Sequence, residues 1–244
     1  RDAQESRGLG DVYKRQPTPH EGGGDVDALM DNPPYSIGLP GMVSTTTAQH
    51  VAITEASLLL WMERSSGGSF RVCRTVEEIR ATMQAGGIAA IMHMEGAEAI
   101  SESLDELDLY YEMGLRSLGP VWSRPTIFGH GVPFRFPSSP DTGPGLTEAG
   151  KRLVRRCNAL RIMIDLSHLN EAGFNDVAAL SDAPLVATHS NAHAVTPSAR
   201  NLTDRQLAII AESDGMVGLN YATSFLRPDG RRGSDIGWEP VLAH

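Results

Sequence analysis

Residues 165–201 read DLSHLNEAGFNDVAALSDAPLVATHSNAHAVTPSARN. The apolar run that leads into this stretch, IMIDLSH, closes on Asp165, Ser167 and His168. An amphipathic segment from Asn170 to Leu180 follows, and a second apolar run, beginning PLVATH at Pro184, ends in His189. The pattern is strand, helix, strand, loop. In parallel α/β folds the residues at the carboxyl ends of strands project into the mouth of the active site. His168 and His189, at equivalent ends of consecutive strands, are therefore placed to converge on one point. Neutral imidazoles held in this way are the commonest zinc ligands. A strand-end histidine also serves as a cap or a core residue, and the pattern alone leaves both roles open.

Outward from this unit the same alternation covers most of the chain. From Thr47, apolar residues at Val51, Ala52, Leu58, Leu59, Leu60 and Met62 predict a helix that stops at Gly67-Gly68. TVEEIRATMQAG opens on a Thr75–Glu78 capping-box pattern and closes at Gly86-Gly87. Ile88–Met94 reads as a buried strand leading into Glu95-Gly96, Ser101–Met113 as a helix, and Leu115–Trp122 as a strand. SRPTIFGHGVPFRFPSSPDTGPG, residues 123–145, reads as a long loop with no element of its own, the kind of segment that crosses an active-site mouth. Helices are predicted over Leu146–Leu160 and Thr203–Ser213, and a strand over Gly215–Tyr221.

About five strands alternating with helices predict an α/β fold with a parallel sheet. The strand-end histidines favour a (β/α) barrel over a doubly wound sheet. Five strands do not close an eight-stranded barrel, so the domain over residues 47–244 reads as a partial barrel. Residues 1–46, with GGGD, NPP, GLPG and STTT, carry turn signals and no long apolar run and are expected to be irregular. His20 lies there and reads as a surface histidine.

The 244 residues, 41% hydrophobic with net charge −9, describe a soluble acidic protein. No basic stripe exists to neutralise phosphates, which argues against a nucleic-acid partner. No apolar run approaches the ~20 residues of a membrane span. The opening RDAQESRGLG is charged, without the apolar stretch of a secretory signal, and lacks an initiator Met, so the chain reads as a fragment. Cys73 and Cys157 are isolated and are expected to be reduced core thiols in a cytoplasmic setting.

In IMHMEG the period of two sends His93 and Glu95 to one face of a strand. Glu95, followed by a glycine that lets a ligand approach, reads equally as a metal-bridging carboxylate or as a helix N-terminal Glu. Arg200-Asn201 follows the second histidine. Arginine suits bidentate carboxylate recognition, although loop arginines are commonly just solvated. Trp122 closes its strand as a pocket wall or as core.

Taken in order, HMEGAEAI, RSLGPVW, GLTEAGKRLVRRCN, MIDLSHLNEAGF, PLVATHSNAHAV and SARNLTDRQL resemble the membrane (renal-type) dipeptidase family of zinc peptidases, in particular its bacterial branch. The resemblance covers roughly residues 70–244. It implies an amidohydrolase-like (β/α)8 barrel with two zinc ions that cleaves dipeptides, often with a D-residue on the C-terminal side. By resemblance Glu95 is the carboxylate bridging both metals, with a catalytic part in activating water. His168 and His189 are ligands of the second metal, and Arg200, with Asn201 beside it, meets the substrate's carboxylate. Trp122 stands where many relatives carry a substrate-binding histidine. The family's His-x-Asp pair of the first strand and its Gly-Ser-Asp-Phe-Asp-Gly-like segment of the last strand are not found. The sequence therefore reads as strands three to seven of eight, with residues 1–16 resembling nothing in the family and read as an artefact.

The expected function is thus zinc-dependent hydrolysis of dipeptides, with a homodimer left open as one assembly. The competing expectations are a catalytically incompetent fragment of such an enzyme and another metal-dependent barrel hydrolase, a deaminase or lactonase.

Overall fold

Short apolar strands, each followed by a capped helix, set the architecture. The computed structural model describes residues 26–233 and 236–244. Its parallel strands are β2 (Phe70–Val72), β3 (Ile88–Ala90) running almost directly into β4 (Met92–Glu95), β5 (Leu115–Gly119), β7 (Met163–Ile164), β8 (Val186–Ala187) and β9 (Met216–Val217). Val72 pairs with Ala90, Glu95 with Gly119, Leu118 with Ile164 and Ala187 with Val217. A parallel bridge between Asp165 and Val186 joins β7 to β8. Neighbours therefore follow sequence order around an arc, as in a (β/α) barrel, with no reversal of the kind that marks a doubly wound sheet.

The connecting helices are α2 (Thr45–Ser65), α3 (Val76–Gln84), α4 (Asp105–Met113), α5 (Glu148–Leu160), α6 (Glu171–Leu180) and α7 (Asp204–Glu212). Side-chain oxygens of Ser44, Thr75, Thr147, Asn170 and Thr203 accept the backbone N–H three residues on and fix the starts of α2, α3, α5, α6 and α7. The reciprocal box expected at Thr75 is only half made. Glu78 turns instead to the Arg74 N–H at 2.6 Å and the Arg71 guanidinium at 2.7 Å. The complete box is at Thr203–Gln206. Under the arc, Leu107, Leu118, Val121, Phe128, Val154, Phe174 and Val177 are fully buried in one core, together with the free thiol Cys157.

Several short elements lie where none was expected. Strand β2 had no periodicity to announce it, being three residues long. The 123–145 loop contains β6 (Phe134–Phe136), and the 1–46 segment, expected to be irregular, contains α1 (Val26–Met30) and β1 (Tyr35–Ile37). β1 and β6 pair antiparallel, with Tyr35 opposite Phe136 and Ile37 opposite Phe134. Such a ribbon comes from residues about a hundred apart and is invisible to local pattern. It carries a second, small core of Met30, Tyr35, Ile37, Phe136 and Phe225, the last from α8 (Thr223–Leu226). Gly230, at φ +67°, packs flat on this core, and a Cβ there would stand 2.3 Å from the Phe136 ring. The expectations for His20 and for residues 1–16 lie outside the described residues. No helix among the described residues is long and apolar enough to cross a membrane.

Candidate metal centre

Three side chains meet at the carboxyl ends of the strands. Glu95 ends β4, His168 follows β7 and His189 follows β8. Glu95 Oε1 lies 3.2 Å from His168 Nε2 and 3.0 Å from His189 Nε2, and the two Nε2 atoms are 3.0 Å apart. Donors bonded tetrahedrally to one zinc at about 2.0–2.1 Å stand about 3.3 Å from one another. The trio therefore matches the spacing of ligands around a single small cation, and it is a group of His and carboxylate donors able to hold one.

Local backbone and hydrogen bonds aim each ligand. Gly96, at φ +90°, turns the chain sharply after Glu95. His168 itself sits at φ +71°, an uncommon conformation for a residue with a Cβ, held by the Val132 N–H donating to its carbonyl at 2.8 Å. Its Nδ1 is 2.9 Å from the buried Ser123 hydroxyl. Burial, and then the nearby Arg200 charge, push the His168 pKa down to about 3, so the ring is neutral.

The tautomer of His189 follows from its neighbours. The Thr188 hydroxyl donates to Asp165 Oδ2 at 2.6 Å and lies 2.7 Å from His189 Nδ1. Its single proton is committed to the carboxylate, so toward the imidazole Thr188 accepts. Nδ1 then carries the ring hydrogen and Nε2 presents a lone pair to the cluster, as a metal ligand must. Burial works to raise the Asp165 pKa. Hydrogen bonds from the Thr188 hydroxyl and the Thr188 and Ser167 N–H groups more than offset it and hold the carboxyl below its ordinary value. Asp165 Oδ2 also stands 3.9 Å from His93 Nε2, whose Nδ1 is 2.7 Å from Ser117 Oγ.

Arg200 is 3% exposed. Its Nη2 donates to the His189 carbonyl at 3.1 Å, its guanidinium lies 5.6 Å from the Phe225 ring centre, and its buried Nε has no hydrogen-bond partner among the described residues. Burial lowers its pKa to about 10, against the opposing pull of Glu95 and Asp165, so it remains a cation at neutral pH. Trp122 packs against the His168 ring at 5.8 Å, on the flank of the cluster. Asn201 is placed differently. Its amide nitrogen donates to the Thr196 and Phe225 carbonyls, both at 2.9 Å, which braces the loop behind Arg200.

The supporting residues Ser123 and Thr188 were not singled out in the sequence. A hydroxyl residue immediately before His189 was a readable signal. Nothing local connects Ser123 with a histidine 45 positions away.

A parallel arc with histidines and a carboxylate at its carboxyl ends is part of a (β/α) barrel with a candidate metal centre. The family model described as membrane dipeptidase (peptidase family M19) matches residues 26–236, and the chain belongs to that family. It is 48% identical over 176 residues to a protein of Acinetobacter calcoaceticus encoded in the PQQ-III 3′ region, covering 72% of this chain and 56% of that one. It is 44% identical over 190 residues to a Klebsiella pneumoniae protein from the pqqA 5′ region, covering 78% and 70%. Among solved structures it superposes with a TM-score of 0.88 on a metallopeptidase from Rhodobacter sphaeroides, solved with a phosphinate mimic of the dipeptide L-Ala-D-Ala. The identity there is 69%, over 89% of this chain and 62% of the other. The chain thus spans a little over half to about two thirds of the length of these relatives.

Proposed function

We propose that this chain forms the metal-binding and substrate-gripping part of a dipeptidase. The observation that carries the reading is the convergence of Glu95 Oε1, His168 Nε2 and His189 Nε2 within 3.2 Å of one another, beside a buried arginine with an unanswered N–H. Glu95, His168 and His189 would hold the metal, zinc in our reading, with Glu95 shared by two ions in the whole enzyme. A metal bound there supplies Lewis acidity to a peptide carbonyl and to water. The remaining work falls to the chain's own groups. Thr188 and Asp165 keep the His189 tautomer that leaves Nε2 free, and Ser123 orients His168. Arg200 is a buried cation whose unpartnered N–H suits one end of a carboxylate, and it would favour substrates with a free C-terminus. Trp122 forms a wall beside His168. The L-Ala-D-Ala mimic bound to the Rhodobacter relative fits this assignment of substrate class.

The test is hydrolysis of L-Ala-D-Ala by the whole zinc-loaded enzyme that carries these residues, beside the same dipeptide blocked as its C-terminal amide. Cleavage of the free dipeptide, loss of cleavage on the amide, and loss of both with a chelator are expected. Inertness toward dipeptides together with turnover of a lactone or an aminopurine would replace this reading with another metal-dependent barrel hydrolase.

A further inference from the structure

A row of rings runs from the histidine cluster to the buried arginine. The His168 and Trp122 ring centres are 5.8 Å apart. Trp122 meets Phe134 edge to face at 5.8 Å, and Phe134 stacks on Phe225 at 6.0 Å. Phe225 in turn lies 5.6 Å from the Arg200 guanidinium. Phe225 is buried, whereas Trp122 and Phe134 each keep part of their surface open. These rings come from separate stretches of chain and are held in register. The pairing of Phe134 with Ile37 fixes the middle ring through the ribbon. The Ala199 N–H donates to the Arg135 carbonyl at 3.2 Å, and the Ser138 N–H to the Pro197 carbonyl at 2.8 Å, which ties β6 to the loop that carries Arg200.

We propose that Trp122 and Phe134 form an apolar subsite that receives the side chain of a carboxylate ligand, and that Phe134 determines specificity there. The inference rests on the reading of Arg200 as the carboxylate anchor. A ligand whose carboxylate is on Arg200 and whose polar end faces Glu95, His168 and His189 lays its intervening carbon frame along this row. Partly exposed ring surface gains from covering by an aliphatic or aromatic group. A second negative charge at that point finds no such gain. Arg124, 5.4 Å from the Trp122 ring centre, already faces Glu98 at 3.6 Å. The subsite therefore selects apolar over acidic side chains.

The experiment is calorimetric titration of the purified protein with three free carboxylates: 3-phenylpropionate, acetate and succinate. Phenylpropionate is expected to bind at least about tenfold more tightly than acetate, the discrimination that an apolar pocket gives for added hydrocarbon, and succinate no better than acetate. Phe134→Ala should remove the preference for phenylpropionate and leave acetate binding unchanged, while Phe134→Leu, which keeps apolar bulk and guards against misfolding, retains part of it. Trp122 emission, isolated by difference against Trp122→Phe, should shift with phenylpropionate and stay still with acetate. Equal affinities for phenylpropionate and acetate, or equal weakening of both by Phe134→Ala and Phe134→Leu, overturn the subsite alone. If Arg200→Met leaves all three affinities unaltered, or no carboxylate binds, the anchor reading falls and takes the subsite with it. Neither outcome alters the separate dipeptide-hydrolysis test.

Discussion

The two cores of the molecule hold two parts of the candidate site, the proposed metal ligands and the proposed carboxylate anchor. The large core lies under the parallel arc and fixes the strand ends from which Glu95, His168 and His189 project. The small core has five buried side chains among the described residues, and it fixes the ribbon and the Phe225 turn beside Arg200. A ligand set tolerates little displacement, and it is built on the part of the chain with the most packing beneath it. The arginine and the rings beside it rest on the smaller patch, which is expected to open locally without unfolding the rest. On this proposal the metal ligands sit on the larger core and the carboxylate anchor on the smaller one, which is expected to open the more easily.

Core truncations give the largest effect that separates the two regions. Phe174→Ala, in the large core, should lower global stability by about 3–5 kcal/mol in urea unfolding. Phe136→Ala should instead leave the global midpoint nearly in place and speed amide exchange at Ser36 and Arg135 in the ribbon. A similar loss of global stability from both would show that there is only one cooperative unit.

The second effect tests the support of the metal end. Thr188→Val keeps side-chain volume but removes the acceptor for His189 Nδ1–H and the donor to Asp165. Zinc affinity should fall by about 10–100-fold, as for other residues that orient metal ligands. Competition with a chromogenic chelator measures it, and unchanged affinity would mean that the tautomer is set by something else.

A third, smaller effect separates the regions by pH. Burial pushes the Tyr35 phenol up to about 12 from its ordinary 10.0, while its hydroxyl donates to the Gly230 carbonyl. The folded form holds this proton more tightly than the unfolded chain does. The associated stability is complete below pH 10 and is lost as pH rises toward 12. Ribbon protection should therefore decline over that window, and Tyr35→Phe should flatten the decline. The smallest effect is expected at Arg200. Replacing a buried cation that has no carboxylate within salt-bridge distance among the described residues by Met should raise the melting temperature by a few degrees, from roughly 1 kcal/mol, while abolishing carboxylate binding. A marked fall in melting temperature would make Arg200 a structural residue.

What could be read from the sequence divides along the same line. Apart from β2, the arc was legible because its strands and helices announce themselves within about a dozen residues, through periodicity, caps and glycine stops. Glu95, His168 and His189 were legible as candidates because each closes an apolar run, although the pattern left their roles open and the family resemblance supplied the ligand assignment. The ribbon was not, since Tyr35–Ile37 and Phe134–Phe136 are three residues each and find each other across a hundred positions. Asn201 shows the limit of adjacency. It neighbours Arg200 in sequence, yet its amide nitrogen serves the loop backbone. The aromatic row was hidden for the same reason as the ribbon, because it assembles Trp122, Phe134 and Phe225 from three separate stretches.

The central claim is that Glu95, His168 and His189 form one metal site, and diffraction at the zinc absorption edge from crystals of the zinc-loaded protein tests it most directly. We expect an anomalous peak about 2.0–2.2 Å from a Glu95 carboxylate oxygen, His168 Nε2 and His189 Nε2, with both Nδ1 atoms still on Ser123 and Thr188. No peak among these three side chains at saturating zinc, or ligation through an Nδ1, would contradict it.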